Sequence, residues 1–167
     1  THPYISTGLK ENKFGIDHTE ALAGYRHAAT LSGLKIVGLD YHIGSQLLNL
    51  TPYLDAQNRL FDLIKQLSAD GIELQHIDLG GGLGVRYKDE TPPAASALVE
   101  QALKGLREAG FKHDLMFEPG RSLVANAGVL LTEVEYLKPT QHKNFAIVDA
   151  GMNDLMRPAL YQAWMQV

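Results

Sequence analysis

Cysteine is absent from the 167-residue chain, which excludes a disulfide framework and any thiolate metal site. The formal net charge is −4, with no dense basic run, so the cationic face that nucleic-acid binding requires is missing. No apolar stretch approaches the ~20 residues needed to span a bilayer. Neither nucleic acid nor membrane is therefore an expected partner. A signal-peptide pattern is also lacking and the first residue is Thr1 rather than Met; a cytoplasmic location is the expectation. Low-complexity segments and internal repeats are missing as well. Hydrophobic residues at 45% and charged residues at 20% describe a folded globular chain.

Three polar, glycine-bearing motifs are spaced almost evenly along this chain: His42-Ile-Gly-Ser45, Asp78-Leu-Gly-Gly-Gly82 and Glu118-Pro-Gly-Arg121. From His42 to Gly81 is 39 residues, and from Gly81 to Glu118 is 37. Each motif ends a short apolar run that reads as a strand: 34–42, 75–79 and 114–117. Residues 3–7 read as an earlier strand of the same kind. Helix signals fill the intervals. Asp17 is a plausible N-cap with Glu20 at the capping-box position, followed by the stripe Ala21, Leu22, Tyr25, Ala28, Ala29 and Leu31 and a stop at Gly33. Thr51 and Pro52 open a second helix as N-cap and N1, with Leu54, Leu60, Phe61, Ile64 and Leu67 as its buried face and Gly71 at its end. A third helix is expected over about 94–109, stopped by Gly110.

Repeating β-α units of this pitch predict a parallel sheet with its chemistry at the strand ends. After Arg121 the rhythm changes. Residues 128–136 and 144–148 are strand-like with no helix between them, and 139–143 looks like a turn. That pattern predicts an antiparallel element. The expected fold class is α/β: the C-terminal part of a (β/α)8 barrel over 1–127, followed by the beginning of a β-domain over 128–167. A closed barrel takes eight strands in ~250 residues, so the chain is expected to begin and end in mid-architecture.

Each motif has two readings on its own residues. Gly80, Gly81 and Gly82 remove every Cβ, so their backbone N–H groups suit an anion; a plain turn explains one glycine but not three. His42 and Ser45 put an imidazole and a hydroxyl at a strand end, where they either serve a ligand or stabilise the turn. Glu118 and Arg121 either form a structural ion pair or divide two tasks, a carboxylate for a protonated ring nitrogen and a guanidinium for an anion. The stretch from Asp149 to Tyr161 adds Arg157 and Tyr161, on either a solvated Pro turn or a binding element.

Taken together, HIGSQ, DLGGGLG, EPGRSLVANAG and DAGMNDLMRPALY, with the leading TGLKENKFG, resemble the diaminopimelate decarboxylases over essentially the whole chain. These are fold-type III pyridoxal-phosphate enzymes with an alanine-racemase-like barrel. The resemblance implies pyridoxal 5'-phosphate as cofactor, no metal, a small amino-acid substrate and a homodimer for the full-length protein. By similarity, His42 would stack on the pyridoxal ring and Glu118 would bind its nitrogen, which makes these two the catalytic pair. Ser45, Gly80, Gly81, Gly82, Gly120 and Arg121 would hold the phosphate, and Arg121, Arg157 and Tyr161 the substrate. The family's Schiff-base lysine falls upstream of Thr1 and its cysteine beyond Val167, so the chain by itself is expected to be inactive. Lys13 belongs to the ENKFG segment and is not that lysine. Related ornithine, arginine or carboxynorspermidine decarboxylases and a non-catalytic barrel homologue are the competing expectations; DAGMNDLMRPALY favours the diaminopimelate branch.

Overall fold

The computed structural model describes residues 13–166. The strand expected over 3–7 lies outside them. Three parallel strands, β1 (Gly38–Asp40), β2 (His76–Asp78) and β3 (Asp114–Met116), pair in the order β1-β2-β3. Asp40 stands beside Asp78, and Asp78 beside Met116. The strands are shorter than the apolar runs that announced them. Pairing still continues past them: Gln75 N–H donates to Val37 O at 2.8 Å and Tyr41 N–H to Asp78 O at 3.3 Å.

Each strand is preceded by the helix its sequence implied. Helix α1 (His18–Ala29) is capped by Asp17, whose carboxylate accepts from Thr19 N–H. Helix α2 (Thr51–Ala69) starts one residue earlier than the Thr-Pro signal suggested. Leu50 takes the N-cap position without a side-chain hydrogen bond, so Thr51 is the first helical residue. Its innermost residues are Tyr53, Gln57, Phe61, Ile64 and Leu67, a stripe recurring every three to four positions. Leu54 and Leu60 flank that stripe half-buried. Helix α3 (Ala95–Glu108) follows. Gly71 and Gly110 take left-handed φ values of 78° and 79° just past α2 and α3, a conformation that glycine adopts without a Cβ penalty.

Alternation along the strands sorts the sheet into two faces. Leu39, Ile77 and Leu115 join the core, with Leu39, Phe61, Ile64, Leu67, Leu74, Ile77, Leu79, Ala102 and Leu106 fully buried within it. Gln57 crosses from α2 to α3, donating to Ala102 O at 2.9 Å. On the opposite face stand Asp40, Asp78 and Met116, so a polar row runs across the sheet away from the helices. A second apolar cluster of Tyr53, Leu83 and Leu98, with Ile43, Leu47 and Phe117 against it, lies beneath the strand-end loops. This cluster gives those loops a floor.

Beyond Glu118 comes a five-residue helix, α4 (Gly120–Val124), too short to leave a periodic signal. The later region forms an antiparallel pair, β4 (Val134–Lys138) and β5 (Phe145–Val148). Thr140 closes their turn by donating its hydroxyl to Lys143 O at 2.5 Å. A second five-residue helix, α5 (Arg157–Tyr161), has Pro in its first turn. Among the described residues no helix is long and apolar enough to cross a membrane.

Candidate active site at the strand ends

The loops leaving β1, β2 and β3 touch through main-chain groups and the His42 side chain. Gly81 N–H donates to His42 Nδ1 at 3.3 Å, and Glu118 N–H donates to Gly80 O at 2.9 Å. Leu47 N–H donates to Gly82 O and Gly84 N–H to Leu47 O, both at 2.9 Å, which makes a small parallel bridge of Leu47 with Leu83. The glycine run is what lets these backbones meet. A Cβ on Gly80 would strike Tyr41 O, one on Gly81 would strike Glu118 O, and one on Gly82 would strike Gly44 O. Gly80 and Gly82 also hold positive φ values of 65° and 93°.

Crowding, not flexibility, therefore explains three consecutive glycines. It also commits most of their donors. Gly80 N–H goes to Asp78 Oδ1 at 2.8 Å and Gly81 N–H to His42, so only the Gly82 N–H among the three has no acceptor among the described residues. Gly120 N–H is taken by Glu118 O at 2.8 Å.

Tyr53, from the first turn of α2, fixes the middle of the run: its hydroxyl donates to Gly81 O at 2.9 Å in a buried setting. Burial pushes the Tyr53 hydroxyl up to about 12, so it remains a donor at neutral pH. The same cause, with the charges of Tyr53 and Asp78 behind it, raises the Tyr41 hydroxyl further.

Carboxylates of Asp40, Asp78 and Glu118 offer oxygens that all lie within 4.8 Å of one another. Desolvation first, then the neighbouring Asp78 charge, holds the Asp40 carboxyl above the usual carboxylate range. Each position is a consequence of register: Asp40 and Asp78 are paired, and Glu118 lies two residues beyond Met116 on the same face.

Arg121 does not form the structural ion pair with Glu118 that the motif allowed. Its Nη1 lies 3.4 Å from Gln46 Oε1, and its guanidinium carbon sits 5.9 Å from the Tyr87 ring centre. Ser45, next to Gln46 in the chain, is half-buried. Arg157 and Tyr161 stand apart on α5, where the guanidinium lies 5.5 Å from the Tyr161 ring centre and the Arg157 Nε is buried without a hydrogen-bond partner. Lys13 lies over the Phe14 ring at 5.1 Å.

The strand-end geometry thus unites His42, Gly80, Gly81, Gly82, Glu118, Gly120 and Arg121, whereas Arg157 and Tyr161 form a separate pair. Sequence reasoning passed over Tyr53, Asp40, Asp78 and Gln46. Asp78 and Gln46 stood inside quoted motifs; Tyr53 carried only the signal of an aromatic at a helix start. A cleft of about 630 Å³ lies elsewhere, between α1 and β1, and reaches the site only at Asp40 and Tyr41.

Imidazole, carboxylate and glycine loops at adjacent ends of a parallel sheet put this chain among the β/α proteins that carry their chemistry at strand ends. A family model described as "Pyridoxal-dependent decarboxylase, pyridoxal binding domain" matches residues 1–125, and the chain belongs to that family. Among relatives, the diaminopimelate decarboxylase of Pseudomonas aeruginosa is 63% identical over 100% of this chain and 40% of its own length. The crystal structure of diaminopimelate decarboxylase from Helicobacter pylori complexed with L-lysine superposes with a TM-score of 0.91 at 46% identity, covering 99% of this chain and 41% of that one. SrLDC in complex with PLP and cadaverine gives a TM-score of 0.82 at 26% identity, over 96% of this chain and 42% of that one. The fold is that of the fold-type III pyridoxal-phosphate decarboxylases, and the chain spans about 40% of the length of the curated relatives it matches.

Proposed function

We propose that the full-length protein decarboxylates meso-2,6-diaminopimelate to L-lysine and CO₂ with pyridoxal 5'-phosphate. The observation that carries this reading is the convergence of His42, Gly81 and Glu118 from three strands 37–39 residues apart, in a chain 63% identical throughout to a diaminopimelate decarboxylase. The donor set fits the cofactor. The Ser45 hydroxyl, the Gly82 N–H and the Arg121 side chain suit a phosphate or carboxylate, and the space beside Gly44 and Gly120 is open where a Cβ would stand. Gly80 and Gly81 contribute by shaping the loop, their own N–H groups being engaged.

When bound, pyridoxal phosphate supplies an electron-withdrawing ring that accepts the electron pair left by the departing α-carboxylate. Glu118 would hold the proton on the ring nitrogen, since its negative charge favours the protonated form. His42, held through Nδ1 by the Gly81 N–H, would stack on the ring. Arg121, Arg157 and Tyr161 hold the substrate's far end, for which a planar guanidinium matches a carboxylate in two parallel hydrogen bonds. The division at residue 127 between barrel and β-domain, a homodimer and a cytoplasmic location belong to the same proposal.

The test is Glu118→Gln in the full-length enzyme. Turnover should fall at least about a hundredfold, as for a lost charge at a reacting centre, while cofactor absorbance persists. Normal turnover with normal cofactor content rejects the role of Glu118. Decarboxylation of ornithine or arginine as fast as diaminopimelate rejects the substrate assignment.

A further inference from the structure

Among the described residues, Gln46 is the one side chain that ties all three strand-end loops together. From the β1 loop it reaches the β2 loop, donating Nε2–H to Val85 O at 2.6 Å and accepting Val85 N–H on Oε1 at 3.1 Å. The side-chain amide thereby pairs with a backbone amide as a strand would. That pairing fixes which end of the amide faces which partner, because reversing it would set oxygen against oxygen and N–H against N–H. With Oε1 so oriented, Arg121 Nη1 from the β3 loop meets it at 3.4 Å. Tyr87, two residues beyond Val85, lies under the same guanidinium at 5.9 Å.

The backbone of Gln46 is held for this purpose at φ 60°, one of two positive values among non-glycine residues described. An L-residue is disfavoured there, because its Cβ crowds the following carbonyl oxygen. Gly44 ahead of it, at φ 121°, and the Leu47–Leu83 bridge behind it maintain the turn. Such strain persists only where surroundings over-determine it, and it gathers at functional sites.

We propose that Gln46 is a positioning residue: it orients the Arg121 guanidinium toward the substrate's anionic end, with Tyr87 supporting the opposite side. This rests on the reading of Arg121 as a substrate ligand. A glutamine suits the task better than an acid. A carboxylate beside Arg121 would compete with the substrate for the guanidinium, and it would also lose the donor to Val85 O. A neutral oxygen holds the fork while leaving its charge available.

The experiment is a double-mutant cycle in the full-length enzyme, with Gln46→Met, Arg121→Met and both together. Readouts are KM and kcat for diaminopimelate and the absorbance of bound cofactor. Gln46→Met, similar in length but without the amide, should raise KM roughly tenfold, the scale of one charge-assisted contact, with kcat and absorbance near the parent. Arg121→Met should raise KM further, and the double variant should match it, because the glutamine acts only through the arginine. Multiplying effects in the double variant overturn the positioning role and leave Arg121 as a ligand. An unchanged KM in Arg121→Met overturns the ligand reading itself, and the proposal with it. Gln46→Glu guards against simple misfolding. Like Gln46→Met it loses the donor to Val85 O, but it sets a carboxylate against the guanidinium that competes with the substrate, so its KM should exceed that of Gln46→Met at a similar loss of Tm. Equal KM values for the two variants refute the inference.

Discussion

The parallel part and the antiparallel part of this chain are built on opposite terms. In the first, Leu67, Ile77 and Leu79 are almost wholly enclosed, and the loops above them interlock through backbone contacts and a second apolar cluster. In the second, β4 has every residue exposed, with Leu137 at 77% and Tyr136 at 68%. Its ladder with β5 runs on past a bulge between Val134 and Tyr136, while its side chains cover little. Backbone pairing thus specifies a hairpin, but burial specifies a site. Apolar surface of that kind marks a face that other protein covers. Chemistry requiring positions fixed to a fraction of an ångström belongs where side chains and backbone are enclosed together.

The sharpest way to break this contrast is to crowd the interlocked loops. Gly81→Ala sets a methyl against the Glu118 carbonyl, displacing the glycine loop and the Glu118 loop at once. Full-length enzyme carrying it should lose essentially all turnover. Gly128→Ala, with open space at its Cβ and no positive φ, should leave turnover near the parent. Comparable losses in the two would abolish the distinction.

Next comes the core. Leu67→Ala in the 167-residue chain should cost about 2–5 kcal/mol by urea denaturation, as for a buried leucine that leaves a cavity. Leu137→Ala should stay within about 0.5 kcal/mol, as for an exposed position. Similar values would mean that the hairpin surface is buried in solution, for example by association of chains.

A smaller effect is expected from Tyr53→Phe, which removes the hydroxyl that Gly81 O accepts from. Leaving that buried carbonyl unpaired should lower stability by about 1–3 kcal/mol, read from Tm, with KM and kcat shifting together as the loop relaxes. An unaltered Tm would show that the floor of the site does not depend on this bond.

The least change concerns Asp40. Its carboxyl is held above the ordinary range by desolvation and then by Asp78, so the folded state takes up this proton more readily than the unfolded chain. The contribution of the residue to stability is therefore complete below the unfolded value near 4 and is lost as pH rises through the raised one. Asp40→Asn should gain slightly in Tm at neutral pH, with the gain vanishing in acid. A gain that grows in acid would reverse the sign and remove the like-charge account of the polar row.

Strand ends were legible because a glycine motif, an apolar run and a preceding helix coincide three times at nearly constant pitch. Helix ends at Gly71 and Gly110 were legible for the same local reason, a positive φ that favours glycine. What escaped was long-range. Gln57 looks like a surface polar residue until α3 brings Ala102 O to it, and Tyr53 looks like ordinary core until Gly81 O arrives. The motif Glu118-Pro-Gly-Arg121 suggested an internal pair, whereas the guanidinium goes to Gln46, 75 positions away. Short helices α4 and α5, with five residues each, never complete two turns and so leave no period to read. Glycine triplets invited thoughts of open N–H groups; the packing of three loops, invisible along a single segment, takes two of those groups away.

The hydrogen bond from Glu118 N–H to Gly80 O and that from Gly81 N–H to His42 join segments nearly forty positions apart. Such bonds form only after distant strands have found one another, which makes their appearance a late event in the life of the chain. Their amide protons should then trade with solvent on the slow timescale set by separation of whole β-α units, not by loop fraying. The amides of Glu118 and Gly81 would thus act as clocks. Slow deuterium uptake there would report that the strand-end loops are as durable as the sheet, and that the candidate site opens only when the fold itself does.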